Sequence, residues 1–208
     1  MSFNLAVGLL PVALYCGTAS AALYDRGNGL VYDDTLDITW LADANVATTV
    51  GYSTTGRLTF DDARGFARGF AIAGYSDWRL PGMRCVVFNC ADNEVAHLYS
   101  VTLGVGAGSP ITSSTSPGLA YFKNIELDPY WLFGTTPAGV ALSGNFDVRD
   151  GRTNAGPYVP EFYGWLVRDG DVQVVPEPSS YALALAGFAA VMGAVRLRSK
   201  AAKPSDGR

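Results

Sequence analysis

Apolar residues are distributed along this chain in two ways: as unbroken runs near both ends, and as short patterned stretches between them. The first run spans Leu5 to Tyr15 and gives way to small residues; the second spans Tyr181 to Val195, carries no charge and stops at Arg196. In the middle, Gly27-Asn28-Gly29 separates short apolar stretches within Leu23–Asp33. That pattern predicts a β-hairpin. Leu36, Ile38, Trp40 and Leu41 predict a further strand. Residues 59–73, TFDDARGFARGFAIA, predict a helix. Thr59 serves as N-cap, Asp61 and Asp62 lie in the first turn, and Phe60, Ala63, Phe66, Ala67 and Phe70 share one face. Pro81 then turns the chain into extended structure. Gly104 to Gly118 is small, polar and aperiodic, which predicts a long surface loop. Asn124 to Phe133 and Val140 to Val148 predict strands, with Trp40, Trp131, Phe146 and Trp165 as core aromatics.

The two apolar runs read as processing segments. Residues 1–21 predict an export signal, because the run is followed by Ala19-Ser20-Ala21, the small-x-small pattern that signal peptidase accepts. A cut after Ala21 leaves Ala22 first, and a cut between Ala22 and Leu23 is the neighbouring alternative. Tyr15 before Cys16 is too bulky for a lipoprotein signal. At the other end, Val175-Pro176-Glu177-Pro178-Ser179-Ser180 precedes the apolar run, and Arg196-Leu197-Arg198-Ser199-Lys200 follows it. The prolines keep the entrance extended and remove backbone donors, leaving it accessible to a processing enzyme. The 17 residues from Ser179 to Val195, before Arg196, are the short end of what spans a bilayer. Ala184, Gly187, Ala189, Ala190, Gly193 and Ala194 offer a small-residue surface for close helix docking. The basic cluster holds that end in the cytoplasm and the preceding domain outside.

This three-part tail resembles the PEP-CTERM sorting signal of Gram-negative bacteria that make exopolysaccharide. The resemblance implies cleavage by a membrane-embedded exosortase, with Val175, Pro176, Glu177, Pro178, Arg196, Arg198 and Lys200 as the recognised residues. The chain then divides into a signal (1–21), a globular domain (22–172), a Pro-Glu-Pro linker (173–180), a transmembrane helix (181–195) and a basic cytoplasmic tail (196–208). The destination is the cell surface or extracellular matrix.

Charge and cysteine content narrow the partners. Between residues 22 and 175 there are 17 acidic residues against 10 basic ones, a net charge of −7 with Lys123 the only lysine. No basic patch stands out, which argues against nucleic acid. Removing the signal removes Cys16 and leaves Cys85 and Cys90, four residues apart. In an oxidising compartment a small disulfide loop is the simplest use of that pair. A zinc site needs two more ligands, and His97 is the only histidine.

A second resemblance covers residues 24–172. Gly29-Leu30-Val31-Tyr32-Asp33, Thr39-Trp40-Leu41, the Thr59-Phe60-Asp61-Asp62-Ala63 helix start and Gly74-Tyr75-Ser76-Asp77-Trp78-Arg79-Leu80-Pro81 look like the Lcl carboxy-terminal-like domain of bacterial surface proteins. Gly164-Trp165-Leu166-Val167-Arg168-Asp169-Gly170 resembles that family's last core strand. The resemblance implies an α+β fold of short antiparallel strands with one or two helices, related to C-type lectin-like and formylglycine-generating-enzyme-like domains. It also implies a role in adhesion or glycan binding for some members.

Candidate chemistry is sparse. Asp33, Asp34 and Asp37 crowd one turn and have the oxygens that calcium takes, although their spacing is not that of an EF-hand. The turn Asp147-Val148-Arg149-Asp150-Gly151-Arg152 is a second acidic candidate. Asp77, Trp78 and Arg79 form a candidate ligand site, with the indole to stack on a sugar and the charged pair to bond its hydroxyls. The competing expectation is that Trp78 plugs the core while Asp77 and Arg79 fix the turn. No Gly-x-Ser-x-Gly, phosphate loop or HExxH is present. A non-catalytic surface module that binds glycan or matrix, with no cofactor beyond calcium, is the expectation; a carbohydrate-active enzyme is the alternative.

Overall fold

The computed structural model describes residues 22–83, 92–155 and 160–172. The chain divides into two compact units, Met1–Asp171 and Val172–Arg208, and every strand and helix among the described residues lies in the first. Among those residues no helix is long and apolar enough to cross a membrane. The predicted signal, the Cys85–Cys90 pair, the sorting segment and the predicted span 181–195 lie outside the described residues.

The predicted hairpin closes through left-handed backbone. Gly27, Asn28 and Gly29 have φ of 74°, 53° and 78°, a region that glycine and asparagine enter most cheaply. They join β1 (Leu23–Gly27) to β2 (Leu30–Asp33), which pair antiparallel with Tyr24 opposite Tyr32. β3 (Ile38–Leu41) follows, then a single helical turn α1 (Val46–Thr49) and the short β4 (Arg57–Leu58). Helix α2 (Phe60–Gly69) starts as predicted: Thr59 Oγ1 accepts from Asp62 N at 3.2 Å, and Asp61 and Asp62 sit at the positive end of the helix dipole. The helix stops four residues short of the predicted 73. Ala73 and Gly74 both take positive φ, and Ile72 and Tyr75 exchange backbone hydrogen bonds across them. That tight turn is incompatible with a continuing helix.

Beyond Pro81, α3 (Glu94–His97) is capped by the Asn93 side chain, which accepts from Ala96 N at 2.7 Å. It runs on into one π-helical turn, Leu98–Thr102. The segment predicted as a surface loop is instead tied to the core. It forms two 3-10 turns, Ile111–Ser113 and Pro117–Tyr121, and Ile111 is fully buried with its N–H bonded to Val148 O. Val105 and Ile111, six residues apart among small and polar ones, carry too little periodicity to reveal this. The remaining strands are β5 (Pro129–Thr135), β6 (Ala141–Asp147), β7 (Arg152–Ala155), β8 (Phe162–Tyr163) and β9 (Val167–Asp169). β5 begins five residues later than predicted, because the intervening polar residues serve loop contacts: Asn124 Nδ2 donates to both Asp43 oxygens at 3.0 Å.

The strands form two sheets, β1-β2-β3-β9 and β4-β8-β5-β6-β7. Pairing is antiparallel except for a single parallel register between Tyr130 and Tyr163. The fold is therefore a small α+β domain with few helices. The core lies where the sheets and α3 converge, around Trp40, Tyr130, Phe146 and Trp165. Trp165 meets Trp40, Phe122 and Tyr130 with ring centroids 5.4, 5.1 and 5.4 Å away. Such pairs add about 0.5–1.5 kcal/mol each beyond area burial. β5 is buried on both faces. Tyr130 and Leu132 join the central core, while Trp131 packs under Phe60 of α2 at 5.3 Å and donates to Leu58 O. Trp40 Nε1 is buried without an acceptor among the described residues, an omission that costs about 1–3 kcal/mol.

Candidate functional site

The Asp77-Trp78-Arg79 segment runs antiparallel to β9, exchanging backbone hydrogen bonds between Arg79 and Val167 at 2.8 and 2.9 Å. That register aims the charged side chains at specific partners. Asp77 accepts two hydrogen bonds of 2.9 Å from the Arg168 guanidinium, which also donates to Asp171 O at 3.3 Å and lies 4.4 Å from the Tyr75 ring centre. The bonds from Arg168 hold the Asp77 carboxyl below its ordinary range. Arg79 grips Glu94 through two bonds of 2.7 and 2.8 Å and also pairs with Asp169. Burial works against the Arg79 charge, but the two carboxylates more than offset it and raise its pKa. Glu94 in turn accepts from Gly82 N at 2.6 Å. Trp78 is 2% exposed and donates to Tyr75 O at 3.1 Å. All three side chains thus have internal partners, and the indole offers no face to a sugar.

The aspartates of the first acidic turn face different groups. Asp33 is fully buried; its Oδ1 accepts from Thr35 N and Leu36 N, and Thr102 Oγ1 lies 3.4 Å from Oδ2. Burial pushes its pKa up, against the backbone bonds. Asp34 accepts from Ala22 N and from the Tyr24 hydroxyl, and Asp37 from the Tyr32 hydroxyl. Aspartates in such turns commonly bond nearby backbone, which accounts for their clustering in sequence. Among the described residues no group of three or more His, Cys, Asp or Glu is arranged to hold a metal. In the second acidic turn, Asp147 is clasped by Arg149 through bonds of 2.9, 3.1 and 2.5 Å. Burial raises the Asp147 pKa, but these bonds outweigh it and the net shift is downward. His97 Nδ1 lies 3.4 Å from Thr102 Oγ1.

A cleft of about 460 Å³ opens where the π-helical turn and segment 106–109 meet the β6–β7 hairpin. Tyr99 and Phe146 form its floor in an edge-to-face pair at 5.3 Å. The single proton of the Tyr99 hydroxyl is shared between the carbonyls of Gly106 and Ser109, while Gly108 N donates to Asp150 O, so the loop is fastened across the hairpin. Gly151 is required there: its φ is 79°, and an added Cβ would fall 2.9 Å from the Tyr99 ring. At the rim, Asp150 and the exposed Arg152 form a loose pair at 3.5 Å, near Ser100. An exposed guanidinium and a half-buried carboxylate above a partly apolar floor match a ligand that carries several hydroxyl groups; the Ser100 hydroxyl donates to Ala96 O at 2.7 Å and can only accept. Asp150 and Arg152 belong to a turn whose acidity the sequence displays. Tyr99 and Ser100 have no local signal, because the cleft forms only when 98–109 folds against 146–153.

The tail is decided by comparison. Residues 174–199 match the PEP-CTERM protein-sorting motif. The match contains the Pro176-Glu177-Pro178 entrance, the whole apolar run 181–195 and both arginines of the basic end; Lys200 lies one residue beyond it. The PEP-CTERM motif makes this an exported protein, anchored in the membrane before exosortase processing. No curated protein and no solved structure matches the chain. The resemblance of residues 24–172 to the Lcl carboxy-terminal-like domain therefore rests on the sequence elements alone.

Proposed function

We propose that the protein is a cell-surface or matrix component of an exopolysaccharide-producing Gram-negative bacterium. Its PEP-CTERM tail delivers a non-catalytic domain that binds glycan or another matrix component. The observation that carries the binding reading is the Tyr99–Phe146 cleft with Asp150 and Arg152 at its mouth. The exposed Arg152 guanidinium, loosely paired with a half-buried Asp150, exchanges partners at little cost, since such surface pairs are worth about 0–1 kcal/mol. The lectin-like resemblance agrees with this role. The site is assigned to the cleft rather than to Asp77, Trp78 and Arg79, whose polar groups are engaged within the domain.

The test is a glycan array, including the producer's own exopolysaccharide, run with and without calcium beside a glycoside-hydrolase screen. Saccharide binding that Arg152→Ala abolishes and Asp77→Asn leaves in place is the expected result. Turnover lost on changing a single acidic residue would replace the reading with an enzymatic one. Glu177→Ala, or deletion of residues 196–200, is expected to leave the precursor uncleaved in the membrane. Unchanged size and location on a blot would remove the exosortase step.

A further inference from the structure

Ala22, the residue that a cut after Ala21 would expose, lies against Asp34. Its backbone nitrogen donates to Asp34 Oδ1 at 3.0 Å, and its carbonyl accepts from Asp34 N at 3.3 Å. These contacts continue the β1–β2 pairing one step beyond Leu23 and Asp33. In the uncut chain that nitrogen is an uncharged amide with a single hydrogen. Hydrolysis of the Ala21–Ala22 bond adds water across it: the hydroxyl joins the Ala21 carbonyl carbon and a hydrogen joins the Ala22 nitrogen. At neutral pH the new acid then releases a proton and the new amine takes one up, giving a carboxylate and an ammonium.

We propose that Asp34 is the docking group for the mature amino terminus, so that signal removal converts a hydrogen bond into an ion pair holding the edge strand β1. The surroundings favour it. Among the described residues the other donors to the Asp34 carboxylate are neutral, namely Thr35 Oγ1 at 3.2 Å and the Tyr24 hydroxyl at 3.4 Å. Arg26, the nearest cation on β1, is bound to Asp171 by bonds of 2.8 and 2.6 Å. Asp33 turns its carboxylate inward to Leu36 N and Thr102, and Asp37 takes the Tyr32 hydroxyl. The 3-10 turn Pro117–Tyr121, which packs on β1, brings no charged side chain. The same contacts distinguish the two candidate cuts. Cleavage after Ala22 would remove both the nitrogen that binds Asp34 Oδ1 and the carbonyl that Asp34 N uses.

The inference rests on residues 1–21 being an export signal, and its test separates the two. The full chain, Asp34→Asn and Asp34→Glu are produced in the exporting cell, and the processed proteins are purified. Mass spectrometry of the amino-terminal peptide gives the first residue. Selective ¹³C-methylation of the α-amino group lets NMR follow its titration. The expected start is Ala22, with proton affinity in the wild type at least threefold above that of an ordinary α-amino group, whose pKa is about 7.7–8.0. Asp34→Glu should retain that elevation and Asp34→Asn should lose it. A chain that keeps residues 1–21 would overturn the signal reading. A start at Ala22 with an ordinary wild-type titration would overturn the Asp34 pairing and leave export standing.

Discussion

The Asp77–Arg79 segment and the Asp150–Arg152 cleft offer the same chemistry, an acid and an arginine beside an aromatic, in opposite states. In the first, the indole is buried and each charge meets a defined partner: Asp77 with Arg168, Arg79 with Glu94 and Asp169. In the second, the aromatics form a floor, the half-buried Asp150 accepts from Arg152 N at 3.1 Å, and the exposed Arg152 guanidinium stands 3.5 Å from it. The difference shows that residue type alone does not mark a binding site. What matters is whether the polar groups have found partners within the fold. The first trio braces β9 and α3 against the 77–81 segment, whereas the second leaves the exposed Arg152 guanidinium available to an outside molecule.

This contrast breaks most easily at Trp78. Trp78→Ala removes a buried ring and its bond to Tyr75 O, and is expected to destabilise the domain by about 3–5 kcal/mol, read as a drop in melting temperature. Arg152→Ala, on the open side of the comparison, should change stability by no more than about 0.5 kcal/mol. Equal losses at the two positions would erase the distinction. Next in size is Arg79→Met, which strands Glu94 and Asp169. Removing one partner of a fully buried pair costs about 3–5 kcal/mol; solvent at this partly exposed site reduces the expectation to about 2 kcal/mol, measurable by urea denaturation.

The smallest effect is in acid. Asp77 and Asp147 titrate below their ordinary range in the folded state, held there by Arg168 and Arg149. Their stabilisation is therefore complete above the unfolded-state pKa of about 3.9 and is lost as pH falls through the folded values. Asp33 has the opposite sign. Burial raises its pKa, so its unfavourable contribution is present at neutral pH and fades as acid protonates it. Asp77→Asn should thus lower the melting temperature at pH 7 and have a diminishing effect below about pH 3.9. A pH-independent difference between wild type and variant would show that the Asp77–Arg168 pair contributes nothing.

The local elements were legible wherever one short-range rule controls them. Gly27-Asn28-Gly29 closes its hairpin, Thr59 caps its helix, and Trp40, Trp131, Phe146 and Trp165 are all buried. The tail motif was legible for the same reason, since an extended Pro-Glu-Pro entrance, an apolar run and a basic end are contiguous. Legibility failed where distant segments share the outcome. The helix end was missed because Ala73-Gly74 makes a left-handed turn, and the anchoring of 104–118 was missed because Ile111 depends on Val148. The short-range elements and the address follow from neighbouring residues alone, since both depend on adjacent residues acting through backbone geometry and hydropathy. Only the tertiary structure decided which charges are braced and which remain open, because Asp77 meets Arg168 at a separation of 91 residues. The Tyr99 floor likewise reaches the Asp150 rim only through folding.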